Sequence, residues 1–166
     1  SNNFDSFDFN YAAKNYHKLD RLVLVQDRDI LLQHRKKNQD GFELIDASSL
    51  EELLYDIHNG FFHSRYDCEE DESVLQIIPY VLLFGSHGTV FSYVRAEHID
   101  DYGDSRLFGK HSLGVGGHII PSDGQHYLET CITRELEEEV TLSCSGSPRV
   151  VGTMFATKNP VDRVHF

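Results

Sequence analysis

A chain of 166 residues with 40% hydrophobic content is one domain's worth and can bury a single core, so no second domain is required. Its 27 acidic residues against 15 Lys and Arg give a formal charge of -12, which disfavours extended contact with nucleic acid or an anionic membrane surface. The longest apolar run, Ile77 to Phe84, is too short to cross a bilayer and is interrupted by Pro79. The first residues, Ser1-Asn2-Asn3-Phe4-Asp5, lack the basic and apolar pattern of a signal peptide. A soluble, cytoplasmic protein is expected. Cys68, Cys131 and Cys144 are odd in number and lack metal-type spacing, which points to reduced thiols, with Cys131 in the core.

Residues 1–18 are rich in Asn, Asp and aromatic side chains without sustained periodicity and read as an N-terminal arm, leaving 19–166 as one domain. Arg21 to Gln26 and Ile30 to Gln33, separated by Asp27-Arg28-Asp29, read as two strands around a tight turn. Ser48 or Ser49 can cap a helix running to about His58, whose buried face carries Leu50, Leu53, Leu54 and Ile57. The acidic run Asp67 to Glu72 reads as a solvated loop, with Arg65 placed to pair with it. Val74 to Phe84 and Thr89 to Arg95 form a second hairpin pattern around Gly85-Ser86-His87-Gly88, and Arg149 to Thr157 gives a later strand. Val161 to Phe166 looks like a strand that begins where the sequence stops.

The stretch Arg134-Glu135-Leu136-Glu137-Glu138-Glu139 carries the chemistry. At about 100° per residue, Leu128, Cys131, Ile132, Leu136 and Val140 make one apolar helix face, and Glu139 falls between Leu128 and Ile132 on it. Glu135, Glu138 and Glu139 lie within an arc of about 100°, whereas Glu137 points the opposite way. Three converging carboxylates repel unless a cation joins them, and Mg2+ suits oxygen ligands and phosphate-bearing substrates. The bland alternative is a solvated Glu-rich face. Upstream, Leu113-Gly114-Val115-Gly116-Gly117-His118-Ile119 reads as a strand holding three glycines, followed by a loop with Pro121, Asp123 and Gly124. Glycines in a strand imply that another group approaches the backbone closely, which suggests a phosphate and metal cradle. His111, His118 and His126 near this helix raise a zinc site, but their spacing is not diagnostic.

Gly117, its loop and the Arg134 to Glu139 stretch resemble the Nudix box, whose pattern is Gly, five residues, Glu, seven residues, then Arg-Glu-aliphatic-x-Glu-Glu-x-Gly-aliphatic. The second half fits through Glu139, but Thr141 stands where a glycine is expected, and the interval from Gly117 to Arg134 is three residues too long. The first glutamate is missing: counting from Gly117 puts Asp123 in its place, and counting back from Arg134 puts His126 there. The strand Gln76-Ile77-Ile78-Pro79-Tyr80 and the segment Arg106 to His118 resemble a divergent Nudix-like branch described as predicted phosphoesterases, over roughly Leu22 to Phe166.

That resemblance implies an α+β fold, a Nudix-type α/β/α sandwich with a mixed sheet and a loop-helix-loop catalytic motif. It implies Mg2+ or Mn2+ held by Glu135, Glu138 and Glu139, Arg134 orienting the glutamates, and Glu138 as the general base. Gly116, Gly117, His118, Arg106 and Arg95 are the candidates for substrate contact. The expected partner is a small, nucleotide-derived phosphorylated substrate. Nudix folds usually continue past a strand such as Val161 to Phe166, so a truncated C-terminus, or cover by the N-terminal arm or a partner subunit in a homodimer, is expected. Two function classes remain: a hydrolase of a diphosphate linkage in a nucleoside diphosphate derivative, and a non-catalytic Nudix-like nucleotide-binding or regulatory module.

Overall fold

The computed structural model describes residues 21–36, 40–94, 109–140, 146–158 and 162–166. Its centre is β1 (Leu22–Asp27), paired antiparallel with β3 (Phe61–Ser64) on one side and β4 (Val74–Gln76) on the other. Val23 through Gln26 are buried consecutively, as they must be in a strand covered on both faces. Val23 and Val25 pack with Val74 and with Cys68 of the short helix α3 (Arg65–Cys68). Leu24 faces the larger core, where it meets Leu31, Leu53, Ile57, Leu75, Ile77, Ile119, Cys131 and Phe155. The sheet therefore has helices on both sides, α3 on one and α1 (Arg28–Leu32), α2 (Ala47–His58) and α4 (Tyr127–Glu139) on the other.

β2 (Gly41–Leu44) pairs antiparallel with β9 (Gly152–Phe155), β5 (Tyr80–Leu82) with β8 (Gly114–Gly116), and β6 (Tyr93–Val94) with β7 (His111–Ser112). A parallel bridge from Gln76 to His165, following the 3₁₀ turn Asp162–Val164, makes the strand set mixed. The backbone amide of Phe166 donates to Gln76 O at 2.9 Å and that of Ile78 to Phe166 O at 3.0 Å, so residues 165 and 166 continue the sheet beside β4. No helix among the described residues is long and apolar enough to cross a membrane.

Several elements differ from the sequence reading. Ile30 to Gln33 does not form the second strand of a hairpin: Asp27 Oδ1 accepts the Asp29 amide at 2.9 Å and opens α1, which puts Leu31 into the core. The α2 cap is Asp46, which accepts the Ser49 amide at 3.0 Å, while Ser48 Oγ donates to the same carboxylate. Those bonds hold the Asp46 carboxyl down at about 2. Part of the acidic run is helical, with Cys68 inward, and Arg65 does pair with Glu69 at 3.5 Å. The second hairpin forms around its turn, where Phe84 bridges Val90, the Phe91 amide donates to Leu83 O and the Gly85 amide to Thr89 O, with Gly88 at φ 74°. Of the segment Val161 to Phe166, Val161 lies outside the described residues, Asp162–Val164 form a 3₁₀ turn and His165 bridges as a strand would.

Candidate active site

The acidic helix runs over Tyr127–Glu139, and Cys131 is its one fully buried side chain. Leu128, Ile132, Leu136 and Val140 are only half-buried, so the apolar face is shallower than its periodicity suggests. Glu139, expected on that face, is exposed and accepts a hydrogen bond from the Tyr93 hydroxyl at 3.3 Å. Glu137 and Glu138 are exposed as well, whereas the Glu135 side chain is only 13% accessible.

Arg134 organises the region. Its Nε donates to Asp123 Oδ1 at 3.0 Å and its Nη2 to Asp123 Oδ2 at 3.1 Å, a two-pronged pair of the kind only a guanidinium makes. Nη2 also reaches the His118 carbonyl at 3.0 Å, and Nη1 donates to Glu135 Oε1 at 2.5 Å with Glu138 Oε1 at 3.9 Å. These bonds push the Arg134 pKa further up, Asp123 contributing most, so the guanidinium stays charged. Asp123 is 2% exposed and also accepts the Ile120 amide at 2.9 Å, which closes the 3₁₀ turn Pro121–Asp123. The chain leaves that turn through Gly124 at φ 72°, a left-handed conformation that favours glycine.

Of the two residues that spacing offers for the missing glutamate, Asp123 is the one that pairs with Arg134. Asp123 stands six residues past Gly117, with five between them, and holds Arg134, while exposed His126 occupies the position just before the helix with no side-chain cap bond. Counted with Asp123 in the glutamate's place, the three extra residues fall between Asp123 and Arg134, where Gly124 to His126 precede the helix. Spacing from Gly117 alone, had it been preferred over spacing from Arg134, would have found the pair.

The glycines are explained by neighbours within the chain. A β-carbon on Gly114 or Gly116 would meet the Tyr80 ring and the backbone carbonyls of Val81 or Pro79, and one on Gly117 would meet the Glu135 carboxylate. Gly117 thus lets Glu135 lie against the strand. Burial raises the Glu135 pKa, Arg134 opposes the shift, and the charges of Glu138 and Glu139 add to it. Cys131 Sγ lies 3.6 Å from Gly117 O and 3.5 Å from His118 O, and its burial pushes the thiol up to about 12.

His118 is turned away from the glutamates. Its Nε2 bonds Gln76 Oε1 at 2.8 Å, its ring meets that of His165 edge-on at 5.4 Å, and enclosure holds its pKa well below the usual imidazole value. What His118 gives to the site is its backbone carbonyl. His111 and His126 are exposed, and among the described residues no group of three or more His, Cys, Asp and Glu is gathered to hold a metal ion. Arg95 and Arg106 lie outside the described residues.

No family model matches the chain. Protein YmaB of Bacillus subtilis (strain 168) is 32% identical over 155 residues, which span 89% of this chain and 73% of YmaB. The crystal structure of Tm1382, a candidate Nudix hydrolase, aligns with a TM-score of 0.68 at 26% identity, covering 87% of this chain and 71% of Tm1382. The chain belongs to the YmaB family and has the Nudix fold. The likeness to Tm1382 supports a hydrolase of the Nudix kind. In this Nudix-like protein, the segment from Gly117 to Asp123 and α4 carry the stretch that resembles the box, and Arg134 ties the one to the other.

The donor chemistry suits a hard divalent cation, since Glu135, Glu138 and Glu139 offer carboxylate oxygens from one edge of one helix. The cradle over Gly117, which a β-carbon would fill, is taken by the Glu135 carboxylate. In the structure Arg134 supplies the positive charge that Glu135 and Glu138 need.

Proposed function

We propose that this Nudix-like protein is a metal-dependent hydrolase that cleaves a diphosphate linkage in a nucleoside diphosphate derivative or a similar small phosphorylated substrate. The observation that carries the reading is the Asp123–Arg134–Glu135 lock against Gly117, because it fixes the first carboxylate beside the glycine strand and leaves Glu138 and Glu139 exposed on the same helix. In this reading Glu135, Glu138 and Glu139 hold Mg2+ or Mn2+. Bound there, the metal supplies charge neutralisation for the diphosphate and a lowered pKa for a bound water.

The protein's own groups do the rest. Arg134 orients Glu135 and, by its hydrogen bond and charge, opposes the burial that favours the neutral form of that carboxyl. Glu138, exposed, is the base that takes the proton of the attacking water as the phosphorus–oxygen bond of the leaving fragment breaks. The Tyr93 hydroxyl orients Glu139. Gly116 and Gly117 are candidates to meet the substrate through their backbone alone, since the space beside them is taken by the Tyr80 ring and the Glu135 carboxylate, and Arg95 and Arg106 are the candidates to contact its phosphates.

The test is phosphate release from a panel of nucleoside diphosphate derivatives and dinucleoside polyphosphates with Mg2+ or Mn2+, comparing wild type with Glu139→Gln. Metal-dependent turnover that drops by about 10–100-fold in the variant, the usual scale for disturbing a metal site, supports the enzyme. Failure to turn over any substrate, with calorimetry showing that a nucleotide binds, would replace it with the non-catalytic binding module.

A further inference from the structure

Three aromatic rings are tied to the acidic helix through the pairing of short strands. β5 and β8 pair Tyr80 with Gly116 and Leu82 with Gly114, and the Tyr80 ring lies across both glycines, since a β-carbon on either would strike it. Its hydroxyl sits 3.1 Å from Ser112 Oγ, and because Ser112 donates its own proton to Gly114 O at 3.1 Å, Tyr80 is the donor. Backbone beneath and a hydrogen bond at the tip thus fix the ring. Opposite Ser112 in the β6–β7 ladder stands Tyr93, whose hydroxyl donates to Glu139 at 3.3 Å. The Tyr93 ring stacks on Phe91 with centroids 5.8 Å apart and planes 29° apart, both residues being half-buried. Directly opposed side chains share one face of a ladder, so Tyr80, Ser112 and Tyr93 form a row that ends at a carboxylate of α4.

Packing accounts for the inner side of Tyr80, because a ring laid over strand glycines covers backbone that has no side chain of its own. Packing does not call for an open outer side, yet Tyr80 is 42% exposed. We infer that the outer face of the Tyr80 ring is the surface on which the planar base of the substrate stacks, with Tyr93, backed by Phe91, leading from it to Glu139. The inference rests on the proposed diphosphate site at Glu135, Glu138 and Glu139 and assigns the part of the substrate that is not phosphate. Tyr80, Phe91, Tyr93 and Ser112 carry no charge, so they suit a flat neutral ring and not a second phosphate. A ring already held in place also loses little freedom when a base settles on it.

Calorimetry with Mg2+ and each of ADP, GDP, CDP and UDP, beside inorganic pyrophosphate, tests the inference. Wild type should bind at least one nucleoside diphosphate about tenfold tighter than pyrophosphate, within the range that a base–aromatic stack contributes. Tyr80→Leu should remove most of that preference while its pyrophosphate affinity stays within about twofold of wild type, and Tyr80→Phe, which keeps the ring, should restore it. A ring that served packing alone would weaken both classes of ligand alike. Tyr55→Leu, which removes an exposed ring on α2, should keep the preference. If Tyr80→Leu does not fold, nitration of wild type followed by mass spectrometry decides: a bound nucleoside diphosphate should shield Tyr80 where pyrophosphate does not, and an unshielded Tyr80 overturns the inference. Equal affinity for pyrophosphate and all four nucleotides overturns it and leaves the diphosphate site standing, as does a preference that survives Tyr80→Leu. Binding of neither class removes the diphosphate site and this inference with it. A preference that depends on Tyr80, without turnover, upholds the inference and ends the hydrolase reading.

Discussion

Removing the Asp123 carboxylate should loosen the whole loop-helix unit. Asp123 is 2% exposed and accepts three hydrogen bonds, two from Arg134 and one from the Ile120 amide. Breaking a fully buried pair costs about 3–5 kcal/mol. Here the Arg134 side chain is 23% exposed and keeps Glu135 and the His118 carbonyl, so the cost of Asp123→Ala should be nearer about 2–3 kcal/mol. Asp123→Asn, which can still accept from Ile120, should lose about 1–2 kcal/mol. Urea unfolding reads these values directly, and at this chain length they correspond to roughly 5–10 °C in Tm for the alanine variant. A double-mutant cycle with Arg134→Gln should give a coupling of about 1–3 kcal/mol. His126→Ala is the internal control, since His126 is exposed and makes no cap bond. The reasoning fails if Asp123→Ala lies within about 0.5 kcal/mol of wild type, the scatter of ordinary surface substitutions, or if His126→Ala is the more damaging change.

Gly117→Ala should cost about 1–3 kcal/mol in urea unfolding, because its β-carbon displaces the Glu135 carboxylate, and any turnover should fall with it. His118 is held neutral in the fold by its enclosure, with positive charge from Arg65, His165 and Arg134 acting in the same direction. Because the unfolded imidazole binds a proton below its ordinary pKa and the folded one does not, stability should fall as pH drops through about 6.5, by at most about 1.4 kcal/mol per pH unit from this group. Urea titrations at a series of pH values should show that extra slope in wild type and not in His118→Asn. The Cys68 thiol is raised to about 11 and that of Cys131 to about 12, both by burial first. Mass spectrometry after alkylation of the native protein near pH 8 should find both unmodified until denaturant is added.

Strong periodicity and the glycine strand were legible in the sequence; local competition was not. The buried strand around Val23 and Val25, the helix carrying Glu135 and the burial of Cys131 follow from their patterns. Ile30 to Gln33 was misread because a short apolar run fits a strand or a helix equally, and the deciding bond is a side-chain cap from Asp27. Asp46 took the cap expected of Ser48 or Ser49 because its carboxylate accepts from both the Ser49 amide and the Ser48 hydroxyl. Close approach to the glycines was foreseen, but the groups that come close, the Tyr80 ring and the Glu135 carboxylate, sit 34 and 18 residues away along the chain from Gly114 and Gly117. The exposure of Glu139 escaped a wheel projection, which counts angle but not the depth at which the helix sits.

Gly117 and Glu135 also form a bond of descent. The three atoms nearest to a β-carbon at position 117 all belong to the tip of the Glu135 side chain. Alanine at 117 thus becomes acceptable once position 135 is shortened, as in Glu135→Asp, and each change relieves the other. In a collection of related chains the two positions should drift together, and a side chain at 117 would mark, without any assay, a lineage that no longer keeps a full-length carboxylate on that turn.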